Sequence, residues 1–335
     1  MRIFIYEYTC AAAVEKSAAA VSLRAEGAAM LAAVVEDFQR VPGVDVVTIR
    51  GTRLESCPTF KHTDEQAFRT AARQADYSLI IAPEFDGMLL DRCRWVLEEG
   101  GRLLGPSPDA VALASDKFAM FRWWNVHDVP TPDTIPLEPA APARDSLAGA
   151  VGSVICKQRD GAGCSFARVI PAADWPKLHD ELIALPDRPA LIVQPYIRGQ
   201  DASVAFLIGP NHFFELPPAA QHLQTGENLK YLGGEAPLPP PLAERATRIA
   251  RRAFANISGL LGFVGVDVVV GDDGRDWAIE INPRLTTSYV GLRALAEFNL
   301  AEAMLAIVQG QDPPKWKWRN GTVRFGTDGS VSTCS

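Results

Sequence analysis

Along the first hundred positions, short apolar runs alternate with stretches in which apolar residues recur every three or four positions, and that alternation predicts strands separated by one-sided helices. The runs at 3–8, 44–49 and 77–82 read as strands, and the stretches at 22–40 and 86–99 read as helices. Thr63 with Gln66 forms a capping box that opens a further helix before the third strand. Gly100 and Gly101 stop the helix at 86–99, and Arg102, Leu103 and Leu104 give a short strand that ends at Gly105 and Pro106. Strand and helix in repeated order imply a small open parallel sheet over residues 1–110.

Beyond residue 110 the pattern changes. A helix at 115–124 and the punctuation Pro130, Thr131, Pro132 lead into strands expected at 153–157, 167–170, 190–194, 202–208 and 212–216, with a helix at 174–185. From 242 to 261, Ala246, Ile249, Ala250, Ala253, Phe254, Ile257 and Leu260 mark a long one-sided helix. Strands at 264–270 and 277–281 follow, joined by a turn over Gly271, Asp272, Asp273 and Gly274. This part is α+β. Residues 136–150, rich in Pro and Ala, read as a surface connection. The polar tail after Gln311 carries a hairpin pattern over 322–332 around Asp328 and Gly329. No internal repeats are present.

Length and charge narrow the functional classes. A chain of 335 residues is too long for one ordinary core and fits two or three lobes. Its formal net charge of -7 offers no general attraction to phosphate backbones or anionic lipid, so nucleic acid and membrane are not expected partners. No apolar run reaches the roughly 20 residues of a spanning helix, and the opening residues enter a strand directly, which makes the cytoplasm the expected location. Six cysteines, Cys10, Cys57, Cys93, Cys156, Cys164 and Cys334, show no C-x-x-C pair and no zinc-finger spacing, so reduced thiols are expected. Cys164 stands apart because it lies in a glycine-rich loop.

Three segments carry chemistry. Glu280 and Asn282 lie two apart on one strand and so share a face, and a facing strand can bring Asp267 beside them. Three oxygen donors then converge, as magnesium requires, and Arg284 follows as a fixed cation suited to a phosphate. Solvated hairpin carboxylates are the alternative, although the apolar neighbours Val266, Val268, Val269, Ala278 and Ile281 argue for burial. Lys157 closes a strand and precedes Gly161, Ala162, Gly163, Cys164 and Ser165, a flexible loop that is either a phosphate-covering lid or an ordinary hairpin loop. Gln194, Pro195, Tyr196 and Ile197, followed by Asp201, form a strand leading into a hinge whose backbone suits the edge of an adenine ring; a simple strand and turn is the alternative.

In order along the chain, Lys117, Lys157 with its glycine loop, the Gln194 hinge, Asp201, Lys230, Asp267 and the Glu280, Asn282, Arg284 group resemble the ATP-grasp enzymes over roughly residues 105–309. The resemblance implies a pre-ATP-grasp domain at 1–110 and an ATP-grasp domain at 111–310 with lobes at about 125–195 and 196–310, which leaves 311–335 as the C-terminal tail. It implies ATP as cosubstrate, with Lys117, Lys157 and Lys230 on the phosphates and Gly161, Gly163 and Ser165 in the lid. Gln194, Tyr196 and Ile197 would line the adenine site and Asp201 would hold ribose. Asp267, Glu280 and Asn282 would bind Mg2+, with Mn2+ as the other candidate ion. Arg284 would face the reacting carboxylate, which with Lys157 makes the catalytic pair. Gln194 departs from the acid many members carry there, and Asp201 is shorter than the usual Glu.

The chemistry implied is amide formation between an amino-acid carboxylate and an amine through an acyl phosphate. Residues 4–10 and 22–31 also resemble the tyramine-glutamate ligases of methanofuran and methylofuran biosynthesis. That resemblance implies an amide of tyramine with the γ-carboxylate of glutamate, and small ligases of this kind are often homodimers. Glu7 is either a contact for the amine or a cap on its strand. Another amino-acid or peptide ligase, a phosphotransferase and a nonenzymatic ATP-binding module are the competing classes.

Overall fold

The computed structural model describes residues 1–11, 18–50, 53–54, 64–138, 152–161, 166–184, 188–226, 228–313 and 315–334. Its first sheet is built from β1 (Arg2–Glu7), β2 (Asp45–Arg50), β3 (Arg53–Leu54) and β4 (Tyr77–Ile81) in the order β3-β2-β1-β4. β1 is parallel to both β2 and β4, which the intervening helices α2 (Ala18–Gln39) and α3 (Asp64–Gln74) make possible; the short α1 (Tyr8–Ala11) follows β1 directly. Helix α4 (Met88–Glu98) ends at Gly100, whose φ of 74° is left-handed. The strand expected at 102–104 is reduced to one parallel bridge between Ser78 and Leu103. Thr63 and Cys57 lie outside the described residues.

The helix expected at 115–124 forms as α6 (Lys117–Val126), and a further helix, α5 (Pro108–Ser115), precedes it. Asp116 divides them because it adopts an extended conformation and its carboxylate accepts the N–H groups of Phe118 and Ala119. A second sheet, ordered β5-β8-β6-β7, uses β5 (Ile135–Pro136), β6 (Ser153–Gln158), β7 (Arg168–Pro171) and β8 (Leu191–Pro195) and is covered by α7 (Trp175–Ile183). All of its pairings are antiparallel. Leu185, most of the 136–150 connection and the glycine-loop residues Gly163, Cys164 and Ser165 lie outside the described residues.

The third sheet is the largest. Its path runs β14-β13-β9-β11-β12-β15-β16, with β10 (Phe213–Glu215) paired to β9 (Gly199–Ile208). β13 (Gly262–Gly271) and β14 (Asp276–Asn282) are the strands expected near 264–270 and 277–281. β11 (Ala219–Gln224) and β12 (Lys230–Ala236) join them without having been signalled by the sequence pattern. The hairpin expected in the tail forms as β15 (Thr322–Gly326) and β16 (Val331–Cys334), and it adds edge-on to β12.

Helix α8 (Pro240–Phe254) packs Ala246, Ile249, Ala250, Ala253 and Phe254 against one face of this sheet. It stops short of the expected 261. Gly259 sits in a left-handed conformation (φ 79°), and a Cβ there would meet Ser107 Oγ at 2.2 Å, so the chain leaves the helix to let Gly259 and Ser107 approach. Helices α9 (Ser288–Leu295) and α10 (Leu300–Val308) cover the other face and pack on α2. A buried network pins that junction: Asp37 of α2 accepts from Tyr289 Oη at 2.7 Å and from the Arg293 guanidinium at 2.6 and 2.9 Å. The first sheet is thereby held against the third.

Phe325 of the tail hairpin is 4% exposed and sits over Gly234 and Gly291 in the same core as α9. Replacing Phe325 with Ala is expected to cost about 3–5 kcal/mol, the range for removing a buried aromatic ring. Denaturant unfolding checks this, and a loss under about 1 kcal/mol would show that the tail does not share the core.

Candidate functional site

The second and third sheets face a common cleft, lined by Lys157 and Gln194 from one and by Ser203, Gln221, Asp267 and Glu280 from the other. Strand parity explains which side chains reach it. On β6, Val154 and Cys156 turn into the lobe core while Ile155 and Lys157 line the cleft, and Gln194 lies opposite Ile155 on β8. On β9, Ala202 and Val204 pack toward α8 while Asp201 and Ser203 line the cleft.

The same parity governs β13 and β14. Asp267 is registered directly opposite Glu280, and Gly265 opposite Asn282, so the acidic group sits on one patch. A bulge follows, pairing Val268 with Ala278 and leaving Ile279 as the extra residue, so that Ile279 and Glu280 both reach the cleft. Asp267 Oδ1 accepts from Gln221 Nε2 and its Oδ2 from Asn282 Nδ2, each at 3.0 Å. Burial, and secondarily the charge of Glu280, push the Asp267 carboxyl up to about 7. Glu280 moves the other way: burial alone would raise it, but Lys117, Lys157 and Arg284 outweigh burial and hold it below the ordinary carboxylate value.

The cations converge from three directions. Lys117, the first residue of α6, places Nζ 3.2 Å from Glu280 and donates to the Gly161 carbonyl at 2.6 Å. Its position is set by the Asp116 cap, whose carboxylate also takes the Arg159 guanidinium, and by Lys117 N–H donating to the Arg159 carbonyl. Lys157 is buried on β6. Arg284, just past β14, forks onto Glu84 with contacts of 2.8 and 3.0 Å. Burial would favour loss of its proton, but Glu84, then Glu280 and Glu26, hold it charged.

At the far end, Gln194, Tyr196, Ile197 and Asp201 line the cleft together. The buried Gln194 amide is satisfied by donating to Thr134 Oγ1 at 2.7 Å. Burial pushes Asp201 up to about 6. Of the remaining expected residues, Gly161 lines the cleft, Gly163 and Ser165 lie outside the described residues, and Lys230 is not brought in. Lys230 is exposed at the start of β12, and its neighbours Leu229 and Tyr231 line the cleft instead. Glu7 does not line the cleft either: it accepts from Thr9 Oγ1 and the Cys10 N–H, capping the turn after β1.

Sequence reasoning missed Glu84, Glu26, Ser203 and Gln221. Glu84 follows β4 closely, and the carboxyl ends of strands in an open parallel sheet are where such sheets place ligand-facing residues, so a signal for it existed. Gln221 had none, because its strand was not recognised.

Asp267, Glu280 and Asn282 supply hard oxygen atoms at one point, where burial and the charge of Glu280 push the Asp267 carboxyl up. That donor set fits a divalent cation such as magnesium. Lys117, Lys157 and Arg284 around it suit the oxygens of a polyphosphate. Among the described residues no helix is long and apolar enough to cross a membrane. The described cysteines Cys10, Cys93 and Cys156 are unpaired.

Comparison with known proteins agrees with this geometry. Residues 114–288 match the model of an ATP-grasp domain and residues 45–111 that of a pre-ATP-grasp domain. The chain is 28% identical over 232 residues to the tyramine-L-glutamate ligase of Methanocaldococcus jannaschii, a match covering 68% of this chain and 63% of that protein. A D-alanine-D-alanine ligase of Ralstonia nicotianae is 27% identical over 186 residues, covering 52% of this chain and 55% of the ligase. The chain thus spans less than two thirds of the length of these relatives. Among solved structures, an ATP-grasp superfamily protein from Archaeoglobus fulgidus has the same fold, with a TM-score of 0.71 at 24% identity over 97% of this chain and 92% of that one. With the domain model covering more than half of its residues and the phosphate-suited cleft lying between the second and third sheets, this chain belongs to the ATP-grasp family.

Proposed function

We propose that the chain is an ATP-dependent ligase that joins an amino-acid carboxylate to an amine through an acyl phosphate, releasing ADP and phosphate. The observation that carries the proposal is the meeting, at one part-buried point, of Asp267 and Glu280 in direct register with Lys117, Lys157 and Arg284 around them. Residues 1–110 act in this reading as the substrate-side domain and residues 111–310 as the nucleotide-holding one.

The hinge at Gln194, Tyr196 and Ile197 receives adenine, and Asp201 accepts from ribose hydroxyls. Lys117 and Lys157 hold phosphate oxygens, with Gly161 beside them in the cleft lining. Asp267, Glu280 and Asn282 hold magnesium, or manganese in its place; when bound, the ion supplies charge neutralisation across the phosphates. Arg284, kept charged and oriented by Glu84, faces the substrate carboxylate as an oxygen of that carboxylate attacks the γ-phosphorus. The amine then attacks the acyl carbon and phosphate departs. No enzyme nucleophile is used, and burial of the site protects the acyl phosphate from water.

The tyramine-L-glutamate ligase relatives support tyramine and L-glutamate as the first pair to test. The proposal takes the γ-carboxylate as the one activated, with γ-glutamyltyramine as product in a methanofuran- or methylofuran-type route in the cytoplasm. The D-alanine ligase relatives favour, as second reading, a different amino-acid pair on the same machinery.

Incubation of the purified chain with ATP, Mg2+ and a matrix of amino acids and amines tests both. ADP release that requires glutamate and tyramine together is the expected result. ADP release with another pair keeps the ligase and changes its substrates, whereas AMP release or no acceptor-dependent turnover contradicts the proposal. In the same assay Asp267→Asn and Glu280→Gln are each expected to lower kcat/KM at least about 100-fold, about 2.7 kcal/mol of transition-state stabilisation. A loss below about threefold in either would remove the acidic pair from the mechanism.

Metal affinity should also depend on pH. A proton held by Asp267 up to about 7 must leave before a cation can bind, so Mg2+ affinity in the presence of nucleotide is expected to rise with pH and level off above that point. Below it the slope should approach tenfold per pH unit, as one displaced proton requires. Calorimetric titration from about pH 6 to about pH 8 reads this; a flat profile would contradict the assigned role of Asp267.

A further inference from the structure

We propose that Glu26 receives the acceptor amine: its carboxylate holds the substrate's ammonium group beside Arg284 and takes the proton that must leave before nitrogen can attack. The inference rests on the ligase reading above and names a partner for the amine within it.

Glu26 lies on α2, is 9% exposed, and lines the cleft with Arg284, Thr286, Thr287 and Ser288. Among the described residues the buried acids on the substrate side are Glu7, Glu26, Asp37 and Glu84. Three of them are already engaged. Glu7 accepts from Thr9 and Cys10, Asp37 from Tyr289 and Arg293, and Glu84 from the Arg284 fork. Glu26 accepts a hydrogen bond from Thr287 and lies in the field of Arg284, but no described Lys or Arg forms a salt bridge with it. A buried carboxylate in that state is costly, and burial accordingly pushes it up to about 7. A cation brought by the ligand would offset that cost.

Its placement is fixed. A Cβ on the next residue, Gly27, would overlap Glu7 Oε1 at 2.3 Å, so glycine there lets α2 seat against the end of β1 and holds Glu26 at the cleft wall. Arg284 marks where the acyl phosphate forms, and the attacking nitrogen must come within about 3–3.5 Å of the acyl carbon. A carboxylate adjacent to Arg284 is therefore adjacent to that nitrogen.

The step balances. A primary amine arrives as an ammonium ion, which has no lone pair to donate, and one of its protons passes to the Glu26 carboxylate. The neutral nitrogen attacks the acyl carbon, the C–N bond forms and the C–O bond to phosphate breaks. Phosphate leaves with a second nitrogen proton, and Glu26 returns its own to solvent.

Hydroxylamine separates this role from the earlier steps, since it is uncharged at neutral pH and traps an acyl phosphate as a hydroxamate without an ammonium to hold. The full chain is assayed with ATP, Mg2+ and glutamate, using either hydroxylamine or tyramine, or whichever primary amine in the matrix gives the fastest ADP release. In Glu26→Gln, hydroxamate formation is expected to stay within about threefold of wild type while amide formation falls about 100-fold, the span of a lost proton-transfer group. Glu26→Asp, which keeps the charge, should recover at least about tenfold of that loss. Amide formation unchanged in Glu26→Gln overturns the inference. So does equal loss of both products in both variants, the outcome for a carboxylate that only braces Thr287, and so does a raised KM for glutamate in both reactions. A wild type that makes neither product defeats the ligase reading and this inference with it, whereas wild-type activity with either nucleophile leaves the ligase reading standing whatever the variants do.

Discussion

The arrangement depends on two carboxylates that strand register sets face to face. Asp267 and Glu280 are cross-strand partners on β13 and β14, and the pleat directs both into the same cleft. Like charges in that position repel, and burial magnifies the repulsion. The structure relieves it unequally: Lys117 and Lys157 stabilise Glu280 as an anion, while burial and the charge of Glu280 push the Asp267 carboxyl up, against the donors from Gln221 and Asn282 that favour its anion. The proposal of a divalent cation at this point starts from that pair of facing oxygen donors.

The cations that answer this charge come from separate parts of the chain, which is why the three sheets must be held together. Lys117 is delivered by a helix whose cap is tied to Arg159 at the end of β6, and Lys157 by β6 itself. Arg284 reaches back to Glu84 across 200 positions of sequence. The junction of α2 with α9 and α10, held by the buried Asp37 network, keeps the first sheet in register with the acidic strands. A substrate-side acid such as Glu26 can then share a cleft wall with Arg284.

How much of this the sequence disclosed follows from the physics of each segment. Asp267, Glu280 and Asn282 were legible because side-chain alternation needs only local spacing and a neighbouring strand. Lys230 stands outside the cleft lining because motif order along a chain does not set strand parity, and the register of β11 against β12 shifts between Gln221 and Leu223. Those two strands escaped notice because segments such as Lys230–Ala236, with two glycines and no β-branched residue, lack the usual strand composition. Helix α10 was missed for the opposite reason: its sequence is apolar on nearly every side and gives no one-sided stripe. Glu84 meets Arg284, and Glu26 meets Thr287, through contacts between distant segments, which no local pattern encodes.

The most direct test of the acidic pair is a crystal structure grown with a nonhydrolysable ATP analogue and Mn2+, with the ion located by anomalous scattering. The account predicts a strong peak within coordination distance of phosphate oxygens, of the carboxylates of Asp267 and Glu280 and of the side-chain oxygen of Asn282. A peak bound only by phosphates and water, with Asp267 and Glu280 turned away from it, would contradict it.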